Sequence, residues 1–190
     1  DNIPYFFYKQ NYATAFSPSW ISSRIKNEVK NINPDIINLH WVCGGFLKPE
    51  NFSTFDKPLV WTLRDLWAFT GGCHYTDSCE KYRVSCGACP QLDSNMENDI
   101  SRKIWQRKQK SWQNLNITIV AISDWLAECA RDSSLLKNKR IEVIPNALDE
   151  SKFKPIPKKI AREILNLPLD KKIILFGAIN ALTDDRKGYK

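Results

Sequence analysis

Short, continuous apolar segments alternate along this chain with segments of helical periodicity, and this alternation limits the choice of fold more than any other feature. Strands buried on both faces read as nearly continuous apolar runs, and the helices between them cover a parallel sheet. The pattern therefore predicts an α/β fold with a Rossmann-like parallel sheet. The predicted strands are "IINLHWV", "LVWTL", "ITIVAI", "RIEVIPN" and "KIILFGA".

Helical spacing is found in the segments between these strands. In "SRKIWQRKQKSWQNL" four residues fall on one helical stripe: Ile104, Trp105, Lys108 and Trp112. Ser123 is placed to cap the helix "DWLAECARDS". Ligands of such sheets bind beyond the carboxyl ends of the strands, so we expect the chemistry in the loops that follow the strands.

Composition and charge limit the classes of protein to which this chain can belong. The 190 residues are 43% hydrophobic and 26% charged, which is typical of a folded chain. No apolar run approaches the ~20 residues of a membrane span, and the first residues lack the basic segment of a signal peptide. The net charge of +7 favours anionic partners. Because the basic residues are spread out, we expect a solvated basic face and no nucleic-acid partner.

A domain boundary is predicted near residue 150. The segment "PNALDESKFKPIPKK" is rich in proline and lysine and lacks a clear periodicity. We expect residues 1–150 to form one domain. Residues 151–190 hold one predicted helix and one predicted strand, which is too little for a domain, so we expect a linker and the start of a second domain.

Three stretches resemble the bacterial retaining glycosyltransferases of family 4, which have the two-domain GT-B fold. They are "KPLVWTLRDLWAFTGGCHY", "VIPNALDESKFKP" and "LFGAINALTDDRKGY", and the closest likeness is to the exopolysaccharide-biosynthesis branch. The resemblance implies an acceptor-side domain whose front precedes Asp1. It also implies a nucleotide-sugar domain that continues beyond Lys190, so we expect a chain truncated at both ends.

The resemblance also implies an activity. A sugar would pass from a nucleotide-sugar donor to a lipid-linked or polysaccharide acceptor, with retention of configuration and without a catalytic metal. The truncated chain is expected to be inactive alone. With its basic charge, the enzyme is expected in the cytoplasm, docked peripherally at the anionic surface of the inner membrane. The resemblance assigns the donor diphosphate to Arg186, Lys187 and Gly188, which without it would be taken for a solvated loop.

Arg64 and Asp65 follow the strand "LVWTL" and are the candidate catalytic residues. Asp65 could orient an acceptor hydroxyl, pair with Arg64, or cap a turn. The related enzymes usually have histidine where this chain has Arg64, and that histidine is expected near the transferred sugar. Arg64 is therefore a departure from the family pattern.

Five further residues are candidates for the acceptor side, each with a plainer alternative. The histidines could be hydrogen-bonded structural residues, the tryptophan a core residue, and the glycines a simple turn instead of a close approach to a ligand. These candidates are His40, Trp67, Gly71, Gly72 and His74.

Four cysteines follow in the spacing C-x5-C-x6-C-x2-C: Cys73, Cys79, Cys86 and Cys89. The C-x2-C pair has the spacing of a zinc knuckle, so structural zinc is one interpretation, with reduced thiols and disulfides as alternatives. The knuckle and the charge also permit a rival function, a zinc-knuckle α/β module that binds nucleic acid. Against it, the aromatic residues are not interleaved with Lys and Arg along one basic face.

Overall fold

The computed structural model describes residues 15–179, 182 and 184–189. The chain divides into two compact units, one up to Pro145 and one from Asn146. This division lies slightly ahead of the boundary predicted at residue 150.

The first unit is built on a four-stranded parallel sheet. The strands are β1 (Ile37–Leu39), β2 (Leu59–Leu63), β3 (Ile117–Ala121) and β4 (Arg140–Val143), and they lie side by side in chain order. The pairing is parallel at all three junctions. The predicted α/β fold with a Rossmann-like parallel sheet is therefore confirmed.

Among the residues described from position 15 onward, this unit has three α-helices: α1 (Ile25–Ile32), α2 (Ile100–Trp112) and α3 (Asp124–Asp132). The Ser123 side chain accepts a hydrogen bond from the backbone N–H of Leu126, so it caps α3 as predicted. No helix in the described part of the chain is long and apolar enough to cross a membrane.

An aromatic cluster fills the core against one face of the sheet. Register places Leu39, Trp61 and Ile119 in one row, and all three are buried. The ring of Trp61 lies 4.9 Å from that of Phe52 and 5.4 Å from that of Trp112, measured between centroids. Trp112 belongs to the stripe of α2 predicted from spacing, and all four residues of that stripe are buried.

In the second unit, α4 (Lys158–Ile164) forms at a predicted helix, but the strand predicted at "KIILFGA" does not form. Residues 172–178 have neither helical nor strand structure. Ile174 is 95% exposed and Leu175 is 93% exposed. A strand needs a neighbour for its backbone N–H and C=O groups, and no described residue of this unit pairs with the segment. The prediction of a fifth strand starting a separate sheet was therefore wrong for this chain.

Candidate functional site

A small cleft lies where β1 and β2 end. Parallel strands bring their carboxyl ends to one edge of the sheet, so residues far apart in sequence meet there. His40 and Arg64 are exposed, and Asp65 is half-buried. The lining includes His40, Trp41, Cys43, Arg64, Asp65 and Trp67. The structure thus brings together four of the residues singled out from the sequence.

Asp65 is bonded within the protein through both carboxylate oxygens. Its Oδ1 accepts a hydrogen bond of 2.9 Å from the backbone N–H of Trp67. Its Oδ2 lies 2.6 Å from Nδ1 of His74. The first bond is the turn cap that the sequence left open as an alternative. The second gives the carboxylate a further task, which is to orient an imidazole.

His74 is the centre of a hydrogen-bonded chain. Besides the bond to Asp65, its Nε2 lies 2.8 Å from Oγ of Ser17. The imidazole is 3% exposed, and the half-exposed ring of Trp41 stacks near it with a centroid distance of 6.1 Å. The order carboxylate, imidazole, hydroxyl fixes the tautomer and the direction of the ring. In this chain the imidazole of His74 lies between the Ser17 hydroxyl and the Asp65 carboxylate, so a proton can pass along it.

Ser17 reaches this place through backbone pairing that sequence alone did not indicate. The Ser17 N–H donates to the carbonyl of Gly72, and the His74 N–H donates to the carbonyl of Ala15. Phe16 and Cys73 form an antiparallel bridge between these bonds. The serine is 57 residues from His74 in the sequence and belongs to no motif, so no local signal pointed to it.

Trp67, Gly71 and Gly72 are surrounded by protein atoms. Trp67 is 1% exposed and lies in the aromatic core. A Cβ on Gly71 would meet the backbone oxygen of Ser101 at 2.4 Å. Gly72 has φ +129°, and a Cβ there would meet the ring of Phe16 at 2.6 Å. The core and turn alternatives account for these three residues, because each glycine allows close packing against protein.

Lys108 is a buried cation that the sequence placed on the apolar stripe of α2. Its Nζ donates to the backbone carbonyl of Trp67 and, at 2.9 Å, to that of Thr70. The same nitrogen lies 3.5 Å from the centroid of the Trp67 ring. Burial lowers the pKa of Lys108 to about 7. Lys108 therefore ties the loop after β2 to helix α2 beneath the cleft.

Cys43 lines the same cleft, and burial raises the pKa of its thiol to about 12. The thiol is therefore protonated at neutral pH. Because the thiolate is the nucleophilic form of cysteine, Cys43 is not an activated nucleophile in this setting.

The residues assigned to the donor diphosphate lie in the second unit. The Nε and Nη2 atoms of Arg186 each lie 2.8 Å from a carboxylate oxygen of Asp184. This contact lowers the pKa of the Asp184 carboxyl. Lys187 is exposed, and Gly188 adopts the left-handed conformation with φ +70°. The guanidinium group of Arg186 thus forms a bidentate pair with the Asp184 carboxylate.

The four loop cysteines are among the residues that line a second, small cavity. Within the described residues, no group of three or more His, Cys, Asp or Glu side chains is arranged to hold a metal ion. All four are free thiols.

Comparison with known proteins gives one local similarity. A stretch of 39 residues, which is 20% of this chain, is 49% identical to a protein of Escherichia coli (strain K12) that carries the provisional name colanic acid biosynthesis glycosyl transferase WcaC. The stretch spans 10% of that protein's length. No family model and no solved structure matches the chain. The local similarity supports a role in glycosyl transfer.

Proposed function

We propose that this protein is a retaining glycosyltransferase of family 4 with the GT-B fold. It moves a sugar from a nucleotide-sugar donor to a lipid-linked or saccharide acceptor in exopolysaccharide synthesis. The observation that carries the proposal is the cleft at the carboxyl ends of β1 and β2, whose largely apolar lining also includes Arg64, Asp65 and His40. The local similarity to a glycosyl transferase of colanic acid biosynthesis supports the same reaction class.

The acceptor is proposed to bind in this cleft. His40 and Arg64 are exposed at its lining and can hydrogen-bond sugar hydroxyls, and the exposed ring of Trp41 offers an apolar face. Asp65 acts indirectly in this arrangement, since its oxygens hold the turn and the imidazole of His74. Trp41 was not singled out from the sequence, where a tryptophan after a short strand gives no signal of its own.

The donor diphosphate is proposed to bind Arg186, Lys187 and Gly188. Sugar transfer releases a nucleoside diphosphate, and fixed cations can stabilise the charge that develops on it. The fork of Arg186 suits phosphate oxygens, and Lys187 adds a point charge. Because these side chains supply the positive charge, the proposal needs no catalytic metal. The net charge of +7 would favour docking at an anionic membrane surface on the cytoplasmic side.

The direct test is turnover by the full-length protein with a panel of nucleotide sugars and membrane-extracted acceptor lipids. Release of nucleoside diphosphate that depends on the acceptor, with a product of unchanged anomeric configuration, is the expected result. Hydrolysis or transfer with none of the donors, together with tight binding to single-stranded nucleic acid, would favour the rival nucleic-acid module and end this proposal.

Substitution of Arg64 by histidine is expected to keep or raise the activity of the full-length enzyme. The related enzymes usually have histidine at this position, and Arg64 is exposed at the cleft, so a shorter ring can be accommodated. The measurement is kcat/KM for the preferred donor, beside the exposed-site control Arg140→His. If Arg64→His were inactive while Arg140→His stayed fully active, the reaction in this protein would require the guanidinium of Arg64.

A further inference from the structure

Four of the six cysteines face one cavity in the loop between β2 and α2. Cys73, Cys86 and Cys89 are buried and Cys79 is half-buried. The other two cysteines, Cys43 and Cys129, are not part of the lining. The fold has therefore gathered the thiols of one 17-residue segment around a common small pocket.

The loop that carries them has little regular structure. Between Leu66 and Asp99 the structure has single 3₁₀ turns, at Trp67–Phe69, Lys81–Arg83 and Pro90–Leu92. A segment of this kind lacks the continuous hydrogen bonding that orders a helix or a strand. In small loop-rich segments a metal commonly supplies that order.

Backbone N–H groups point at two of the sulfurs. The N–H of Gly71 donates to Sγ of Cys86 over 3.1 Å. The sulfur of Cys89 receives hydrogen bonds from the backbone of Gln91 and Leu92. These hydrogen bonds hold both sulfurs against the backbone of the loop. Burial is the larger influence on the two thiols and raises the pKa of both.

The turn between Cys86 and Cys89 contains two residues with positive φ. Gly87 has φ +143° and Ala88 has φ +41°. A Cβ on Gly87 would meet the backbone oxygen of Glu97 at 2.4 Å, so only glycine fits there. The Nζ of Lys81 donates to the carbonyls of both Gly87 and Ala88. The two thiols thus lie at the ends of a turn whose carbonyls are held by Lys81.

Charge and ligand choice also favour an all-cysteine site. Four thiolates around a divalent ion carry net negative charge, and the lysine Lys81 lies in the lining of the same pocket. His74 is adjacent to Cys73, but both of its ring nitrogens are bonded to protein. Soft thiolate donors in a tetrahedral set select zinc over the hard cations.

We propose that Cys73, Cys79, Cys86 and Cys89 bind one structural zinc ion. In the described residues no three such side chains are yet arranged around a common ion position. Binding therefore draws the sulfurs inward from the cavity wall, through rotation about χ1 of each cysteine. The ion would order the loop between β2 and α2, which includes His74 and borders the cleft. It would take no part in the transfer reaction.

Elemental analysis of full-length protein purified without chelator decides the proposal. About one zinc per chain is expected, as for a structural four-cysteine site. Cys89→Ser should lose most of this zinc, whereas the matched control Cys129→Ser should keep it. Iron or copper in place of zinc, or equal zinc in wild type and Cys89→Ser, would overturn the proposal.

A second measurement on the wild type covers the case in which Cys89→Ser does not fold. In native protein the four thiols should resist a thiol reagent until a chelator removes the metal. Prompt reaction of all four thiols without chelator, or mass-spectrometric detection of disulfides among them, would refute the zinc site. Neither measurement depends on sugar transfer, so the zinc site and the proposed function stand or fall separately.

Discussion

Lys108→Met should lower the free energy of unfolding by about 3 kcal/mol, the largest stability effect expected in this protein. The side chain is fully buried, and its Nζ donates to the carbonyls of Trp67 and Thr70. Methionine keeps the length of the side chain but leaves both carbonyls without this donor. A buried polar group that loses its partner costs roughly 1–3 kcal/mol, and two are affected here. Ammonium and neutral amine both donate, so the pKa of Lys108 does not decide the outcome.

Urea unfolding followed by tryptophan fluorescence gives the measurement. The midpoint should fall while the dependence on urea stays the same, because the surface exposed on unfolding is unchanged. The control is Lys110→Met, an exposed lysine on the same helix, which should stay within about 0.5 kcal/mol of wild type. If both variants were equally stable, the carbonyls of Trp67 and Thr70 would not depend on Lys108.

Arg186→Ala is expected to cut kcat/KM for the nucleotide sugar by an order of magnitude or more in the full-length enzyme. A charge-assisted hydrogen bond to phosphate contributes roughly 1.5–3 kcal/mol, which corresponds to a factor of about 10 to 100. In the structure the guanidinium is paired with Asp184, and the side chains are 36% and 17% exposed respectively. We infer that the donor diphosphate exchanges with this carboxylate, because the two anions suit the same planar fork.

The kinetic comparison needs a control that removes a positive charge elsewhere in the same unit. Lys158→Ala serves, since Lys158 is exposed in the first turn of α4. Steady-state kinetics against donor concentration should then show a loss for Arg186→Ala and no change for Lys158→Ala. Equal losses would point to a general effect of charge, and unchanged kinetics for Arg186→Ala would remove this residue from the donor site.

Element type in the first unit followed from the sequence because it rests on local periodicity. "LVWTL" and "ITIVAI" are apolar runs too short for helices, and they became β2 and β3. The stripe ending at Trp112 predicted the buried face of α2 for the same reason. The run "KIILFGA" has the same pattern, yet it forms no strand in this chain. Pairing requires a neighbouring strand, and a periodic pattern carries no information on whether one is present.

The sequence by itself determined that a parallel sheet would form, and it predicted the chemistry in the loops that follow the strands. It also predicted Arg64 and Asp65 at the end of that strand. Only the tertiary structure decided what these groups do there. Ser17, His74 and Asp65 form one hydrogen-bonded chain because a backbone bridge joins segments 57 residues apart. Hydrogen bonds between distant segments depend on the three-dimensional path of the chain, which local spacing does not encode.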